Sequence, residues 1–157
     1  QPLLVGAMGS AAFDGEGVAT SPRDLISEGV LQGYVLDSYS ARRLNMETTG
    51  NSGGVHNLTL DSSKQNLADL IGSIDKGILL TELIGFGINN VTGDYSRGAA
   101  GIWIEKGELA YPVEEITVAG NLSDIFLNIV AIGNDVDTRR STRCGSIMVD
   151  GLTVAGE

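Results

Sequence analysis

From Ile102 to Val113 apolar and polar side chains alternate, pause at Lys106-Gly107, and alternate again. Ile102 and Ile104 interleave with Trp103 and Glu105, and Leu109, Tyr111 and Val113 share one parity on the return. A period of two marks a strand, and a glycine able to take a positive φ marks a tight turn, so the stretch predicts a β-hairpin. Ile116 to Ala119 prolong its second strand. Pro112 lacks an amide hydrogen, which predicts an edge or a bulge at that point. Gly98, Ala99, Ala100 and Gly101 lead into the hairpin with almost no side chain. Such a run predicts that another backbone, of this chain or of a ligand, comes close.

The same patterning places the other elements. Val30 to Leu36 is apolar on both faces, which predicts a buried strand beside the hairpin at the centre of a sheet. Ser38 to Leu44 predicts one or two helical turns, and Val55 to Leu60, Ile78 to Leu83 and the tail from Arg143 to Val154 predict strands. Two amphipathic helices of roughly ten to twelve residues are expected. Ser62 or Ser63 caps the first, whose Leu67, Leu70, Ile71 and Ile74 fall at i, i+3, i+4 and i+7 before Gly77. Asn121 caps the second, with Leu122, Ile125, Phe126, Ile129 and Val130 on one face and Gly133 at its end. Residues 1–157 therefore read as a single α+β domain with a mainly antiparallel, curved or barrel-like β-sheet covered by two amphipathic helices.

Composition adds to that picture. The 22 glycines among 157 residues are twice the usual share of ~7%, which fits many turns and close-packed strands. With 42% hydrophobic and 19% charged residues the chain is expected to fold around a core rather than remain disordered. Neither a signal peptide nor a membrane span is expected, and the opening Gln1 reads as the start of a piece of something longer. One cysteine forms no internal disulfide and fits a reducing cytosol, so a cytoplasmic location is expected. Ten basic against 20 acidic residues give a net charge of -10, which repels phosphate backbones and makes nucleic acid an unexpected partner. Arg139, Arg140 and Arg143 form a local basic cluster whose first reading is a solvated loop, with an anion site second.

Several candidate chemistries fail on spacing. Asp14-Gly15-Glu16-Gly17 begins like a calcium loop, yet the later acidic ligands are missing. Gly50-Asn51-Ser52-Gly53-Gly54 is similar to the surroundings of a protease serine, but the only histidine, His56, follows four residues later where a serine triad needs a distant base. His56 therefore reads as a hydrogen-bonded structural residue at a strand start, and a lone histidine builds no zinc site.

Longer motifs carry a resemblance. Gly93-Asp-Tyr-Ser-Arg-Gly-Ala-Ala-Gly101, the Ile104-Glu-x-Gly-Glu-x-x-Tyr-Pro-Val113 hairpin, Ile116-Thr-x-Ala-Gly-Asn-Leu122 and Ile132-Gly-Asn-Asp135 resemble the C-terminal domain of the PmbA (TldE) branch of the PmbA/TldD family. The likeness extends to Phe13-Asp14-x-Glu16-Gly17-Val18, Tyr39-Ser40-Ala41-Arg42, Gly53-Gly54-Val55-His56-Asn57, Thr81-Glu82-Leu83 and Cys144-Gly145-Ser146, so it covers nearly the whole chain. The resemblance implies a longer protein whose N-terminal part lies outside this sequence. It also implies a metalloprotease for unfolded peptides, made of a TldD-type and a PmbA-type subunit. In that family the zinc belongs to the TldD type, through a His-Glu-x-x-x-His helix and a C-terminal cysteine. This sequence lacks the helix motif. Its Cys144 matches the position of the paralogue's cysteine ligand, although by itself it reads as a small buried residue.

The resemblance thus implies no catalytic residue and no cofactor in this chain, with zinc in the TldD-type partner. The expected partner is that subunit or a copy of this chain, as a dimer. Peptide is expected to be held as an added strand near Gly98, Ala99, Ala100 and Gly101. A non-enzymatic interaction module, modulating DNA gyrase or maturing a peptide antibiotic, is the competing expectation.

Overall fold

A computed structural model describes residues 1–156. In chain order the elements are β1 (Ile26–Ser27), β2 (Val30–Leu31), α1 (Ser38–Arg43), β3 (Leu58–Thr59), α2 (Leu67–Gly72), β4 (Lys76–Ile84), β5 (Asp94–Glu105), β6 (Glu108–Asn121), α3 (Leu122–Leu127), β7 (Ile129–Ile132), β8 (Thr142–Arg143), β9 (Ile147–Val149) and β10 (Thr153–Ala155). They form two compact units. The first comprises Gln1–Leu60 and Asp137–Arg143, the second Asp61–Val136 and the residues from Cys144 onward.

The second unit is built on the expected hairpin. β5 and β6 pair antiparallel and turn through Lys106 and Gly107, at φ 53° and 79°. Both turn residues thus have the positive φ that a two-residue hairpin loop demands. Glycine suits the second position for a further reason, because a Cβ at Gly107 would sit 2.9 Å from the Gly72 carbonyl oxygen. β4 and β10 complete an antiparallel sheet of order β10-β6-β5-β4. Alternation puts Ala99, Ile116 and Val118 on the inner face, where Ile78, Leu80, Tyr95 and Val113 pack against them. The sheet does not close into a barrel, so β10 and β4 are its edges.

The disturbance expected at Pro112 lies just beyond it. Pro112 still pairs with Ile102, whereas Val113 faces Gly101 and Ile116 faces Ala99, which leaves one extra residue in β6. Glu115 absorbs it with a φ of 54°. β10 reaches only Thr117 to Ala119, so the proline removes no donor that the outer ladder uses.

Several expected elements are shorter. Asn66, not Ser62 or Ser63, caps the first helix, in a reciprocal capping box with Asp69, and α2 ends at Gly72. Ser73 folds back to the Leu70 carbonyl at 2.7 Å and stops it. Asn121 caps the second helix as expected, but α3 stops at Leu127. The β-branched run that follows finds a sheet partner instead, as β7 pairs with β9. Phe126 and Leu127 are left exposed. The tail is accordingly three short strands rather than one.

The first unit corrects the reading of Val30 to Leu36. Only Val30 and Leu31 are strand, paired with Ser27 and Ile26 and exposed, and the segment is not central to any sheet. Leu36 alone is buried, anchored by Thr49, whose hydroxyl accepts its amide at 2.8 Å and whose amide donates to its carbonyl at 3.1 Å. The apolar run is thus largely exposed, and its one buried residue is held by the Thr49 hydroxyl and amide rather than by a strand ladder. Asp37 caps α1 by accepting the Ser40 amide at 2.7 Å, as the helical reading of Ser38 to Leu44 requires. Of the strand expected from Val55 to Leu60 only β3 forms, parallel to β8.

Candidate functional site

The small-residue run lies inside the sheet. Gly98 pairs with Ile84 and Thr117, Ala99 with Leu83 and Ile116, and Gly101 with Leu80 and Val113. A Cβ at Gly101 would overlap the Leu79 carbonyl oxygen and stand 3.0 Å from its carbon. The close backbone that these residues announced is therefore the neighbouring strand. Addition of a peptide strand at Gly98 to Gly101 is corrected on the same ground, because both edges of β5 are already paired there. The unpaired edges of this sheet belong to β4 and β10. Along β5 burial alternates, with Ala99 and Gly101 buried and Gly98 and Ala100 only half-buried. The latter two are the more exposed part of the run.

Cys144 lies in the second unit, half-buried, its thiol donating to the Gly145 carbonyl at 3.1 Å. Burial, helped by the negative charge of Asp135, pushes the thiol pKa above its ordinary value. Asp135 accepts the Ser146 hydroxyl at 2.7 Å and its amide at 3.1 Å, and chiefly the hydroxyl bond holds its carboxyl below the usual range. Gly145 allows this packing, since a Cβ there would collide with the Gly133 carbonyl oxygen. A zinc ligand must be a thiolate. A bound metal would have to displace that proton, and among the described residues no three His, Cys, Asp or Glu side chains group as metal ligands.

In the first unit, Asp14 is occupied by backbone. Its Oδ1 accepts the amides of Glu16 and Val18, each at 2.9 Å, and its Oδ2 accepts that of Ser52 at 2.9 Å. These bonds, the one from Ser52 foremost, lower its pKa. They tie Asp14-Gly15-Glu16-Gly17 to the glycine loop around Ser52. A group whose folded pKa is depressed stabilises the fold above its unfolded pKa, near 3.8, and loses that contribution as pH falls through the folded value. Asp14→Asn presents an NH2 to an amide donor, so its denaturation midpoint should lie below the parent's at pH 7, with the gap narrowing toward pH 3. A gap independent of pH would contradict the assignment.

Sequence reading did not join one further group. His56 lies with Met8, Gly9, Val55, Arg139, Arg140 and Ser141 along an open surface cavity of about 650 Å³. The parallel pair of β3 and β8 brings positions 56 and 139–141 together, and no local pattern announces such a pairing.

A four-stranded antiparallel sheet with short helices, carrying this hairpin, is the fold of several solved proteins. A candidate modulator of DNA gyrase from Bacteroides thetaiotaomicron superposes with a TM-score of 0.92 at 38% identity, over 100% of this chain and 36% of that one. TldE from Thermococcus kodakarensis superposes with a TM-score of 0.81 at 28% identity, over 93% of this chain and 36% of that one. Residues 1–156 match the family described as the PmbA/TldA metallopeptidase C-terminal domain. The chain belongs to the PmbA/TldD family. Metalloprotease PmbA of Escherichia coli O157:H7 is 46% identical over 99% of this chain, and a metalloprotease TldD homologue of Haemophilus influenzae is 28% identical over 82% of it. The chain spans 35% and 30% of the length of those two relatives.

Proposed function

We propose that this chain is the C-terminal domain of the PmbA-type, non-metal subunit of a cytoplasmic two-subunit metallopeptidase for unfolded peptides. The catalytic zinc belongs to the TldD-type partner, and this subunit helps to hold the peptide. The observation that carries the reading is the 46% identity to a metalloprotease PmbA along 99% of this chain. The weaker likeness to TldD homologues supports two related subunits that share this fold. Exposed apolar side chains of the second unit, Phe86, Val91, Phe126 and Leu127, suit burial against a subunit of either kind. Elemental analysis of each purified subunit tests the assignment of the metal. Zinc should accompany the TldD-type chain, and Cys144→Ser should leave the metal content of this chain unchanged; one zinc per chain here, lost with that substitution, would overturn it.

Peptide contact falls to the open side of the small-residue run. Ala100→Val should weaken cleavage by the assembled enzyme several-fold without unfolding this chain, whereas Ala99→Val, at a position only 1% exposed, should act mainly through stability. Unchanged cleavage of several peptides by the Ala100 variant would count against this contact.

A non-enzymatic interaction module is the second reading. It draws on the Bacteroides structure and on one from Thermotoga maritima, both described as candidate modulators of DNA gyrase.

A further inference from the structure

The cavity beside His56 plays no part in the reading above, and its walls are firmly placed. The Leu58 amide donates to the Ser141 carbonyl at 2.9 Å and the Leu60 amide to that of Arg143 at 3.0 Å, which fixes residues 139–141 next to His56. The opposite wall is held by Asn57, 2% exposed, whose side chain donates to the Gln1 carbonyl at 2.9 Å and the Ser10 hydroxyl at 2.8 Å and accepts the Gly9 amide at 3.0 Å. Gly9 is pressed so closely to this turn that a Cβ would stand 2.7 Å from the His56 carbonyl oxygen. The cavity is thus part of a hydrogen-bonded frame.

Its charges are unequal. Arg139 grips Asp137 with two nitrogens, at 2.9 and 3.1 Å, and these bonds hold the Asp137 pKa at about 2. That pair is neutral to an approaching ligand. Arg140 makes a looser ion pair with the same carboxylate, at 3.7 Å and beyond hydrogen-bond length, and donates no hydrogen bond among the described residues. The Ser141 hydroxyl is likewise unused among them. One guanidinium fork and one hydroxyl therefore face a space framed by the apolar side chains of Met8 and Val55. The space is an open surface depression, with Met8 83% exposed and the Arg140 side chain 81% exposed. A carboxylate matches the fork in shape and charge. The net charge of -10 disfavours a polyanion and leaves a singly charged group as the better fit.

We infer that this cavity binds a carboxylate of a peptide, with Arg140 taking its two oxygens and Met8 and Val55 receiving the adjoining apolar side chain. The peptide ligand rests on the proposed peptidase reading; the anion preference rests on the cavity alone. Calorimetric titration of this chain with three short acetylated apolar peptides tests it: a free acid, its amide, and an amide that contains one glutamate. The free acid should bind about tenfold more tightly than the plain amide. Arg140→Gln should abolish that difference, and Arg43→Gln, which removes a cation elsewhere in the unit, should not. Circular dichroism of the Arg140 variant, altered only at an exposed side chain, should match the parent. Binding of the glutamate peptide as tight as that of the free acid assigns side-chain carboxylates as ligands too, and weaker binding assigns the chain end. Equal binding of free acid and plain amide, or a difference that survives Arg140→Gln, would overturn the inference. The titration involves no cleavage, so a failure of the peptidase reading would appear separately, as inactivity of the mixed subunits.

Discussion

Gly101→Ala should cost the second unit on the order of 3 kcal/mol of stability, a large loss for the addition of one methyl group. Gly101 is buried in a middle strand, and the added Cβ would overlap the Leu79 carbonyl oxygen while standing 3.1 Å from Ile78 Cγ2. Relief requires β4 to move away from β5, which disturbs pairs on both sides of the register shift between Leu80 and Glu82. The core around Ala99, Ile116 and Val118 would loosen with it. Gly72→Ala supplies the contrast. A Cβ at Gly72, the last residue of α2, meets nothing within 4 Å, so that variant should be neutral or more stable by up to about 1 kcal/mol. Urea denaturation read by the fluorescence of Trp103, which lies on the same strand, compares the two. Equal midpoints for Gly101→Ala and the parent chain would show that the strands are not in the contact described.

How far each element could be read from the residues follows from the range of the forces that make it. The hairpin of β5 and β6 was legible because alternation and the chemistry of Lys106-Gly107 are local, and the same holds for the Asn121 cap. The two expected helices came out at six residues each, α2 because Asn66 caps it late and Ser73 ends it, and α3 because the choice between helix and strand at Ile129 to Ile132 was made by a distant partner, Ile147 to Val149. Val30 to Leu36 failed for a related reason, since apolarity on two faces does not say which strand, if any, lies alongside. At Gly98 to Gly101 a close backbone was legible, but its owner was not. Those residues mark a tight contact, and the topology assigns it to β4 rather than to a ligand. The cavity at His56 was illegible altogether, because it depends on the parallel pairing of positions 58 and 142. The basic loop could be seen in the sequence, and its neighbours could not.

The largest functional effect expected is a division of labour between two chains. If zinc chemistry belongs to the TldD-type subunit, a complete PmbA-type protein that contains this domain should not hydrolyse peptides alone, and the pair should. Among the described residues of this chain no three His, Cys, Asp or Glu side chains group as metal ligands. The chain is similar to a metalloprotease PmbA and to a metalloprotease TldD homologue, and under the proposed function the two subunits would meet through this shared fold. The most direct measurement follows cleavage of an unstructured peptide by each purified full-length subunit and by their mixture, with and without a chelator. The account predicts cleavage that requires both chains and is abolished by the chelator; full activity from the PmbA-type chain by itself, or no gain on mixing, would contradict it.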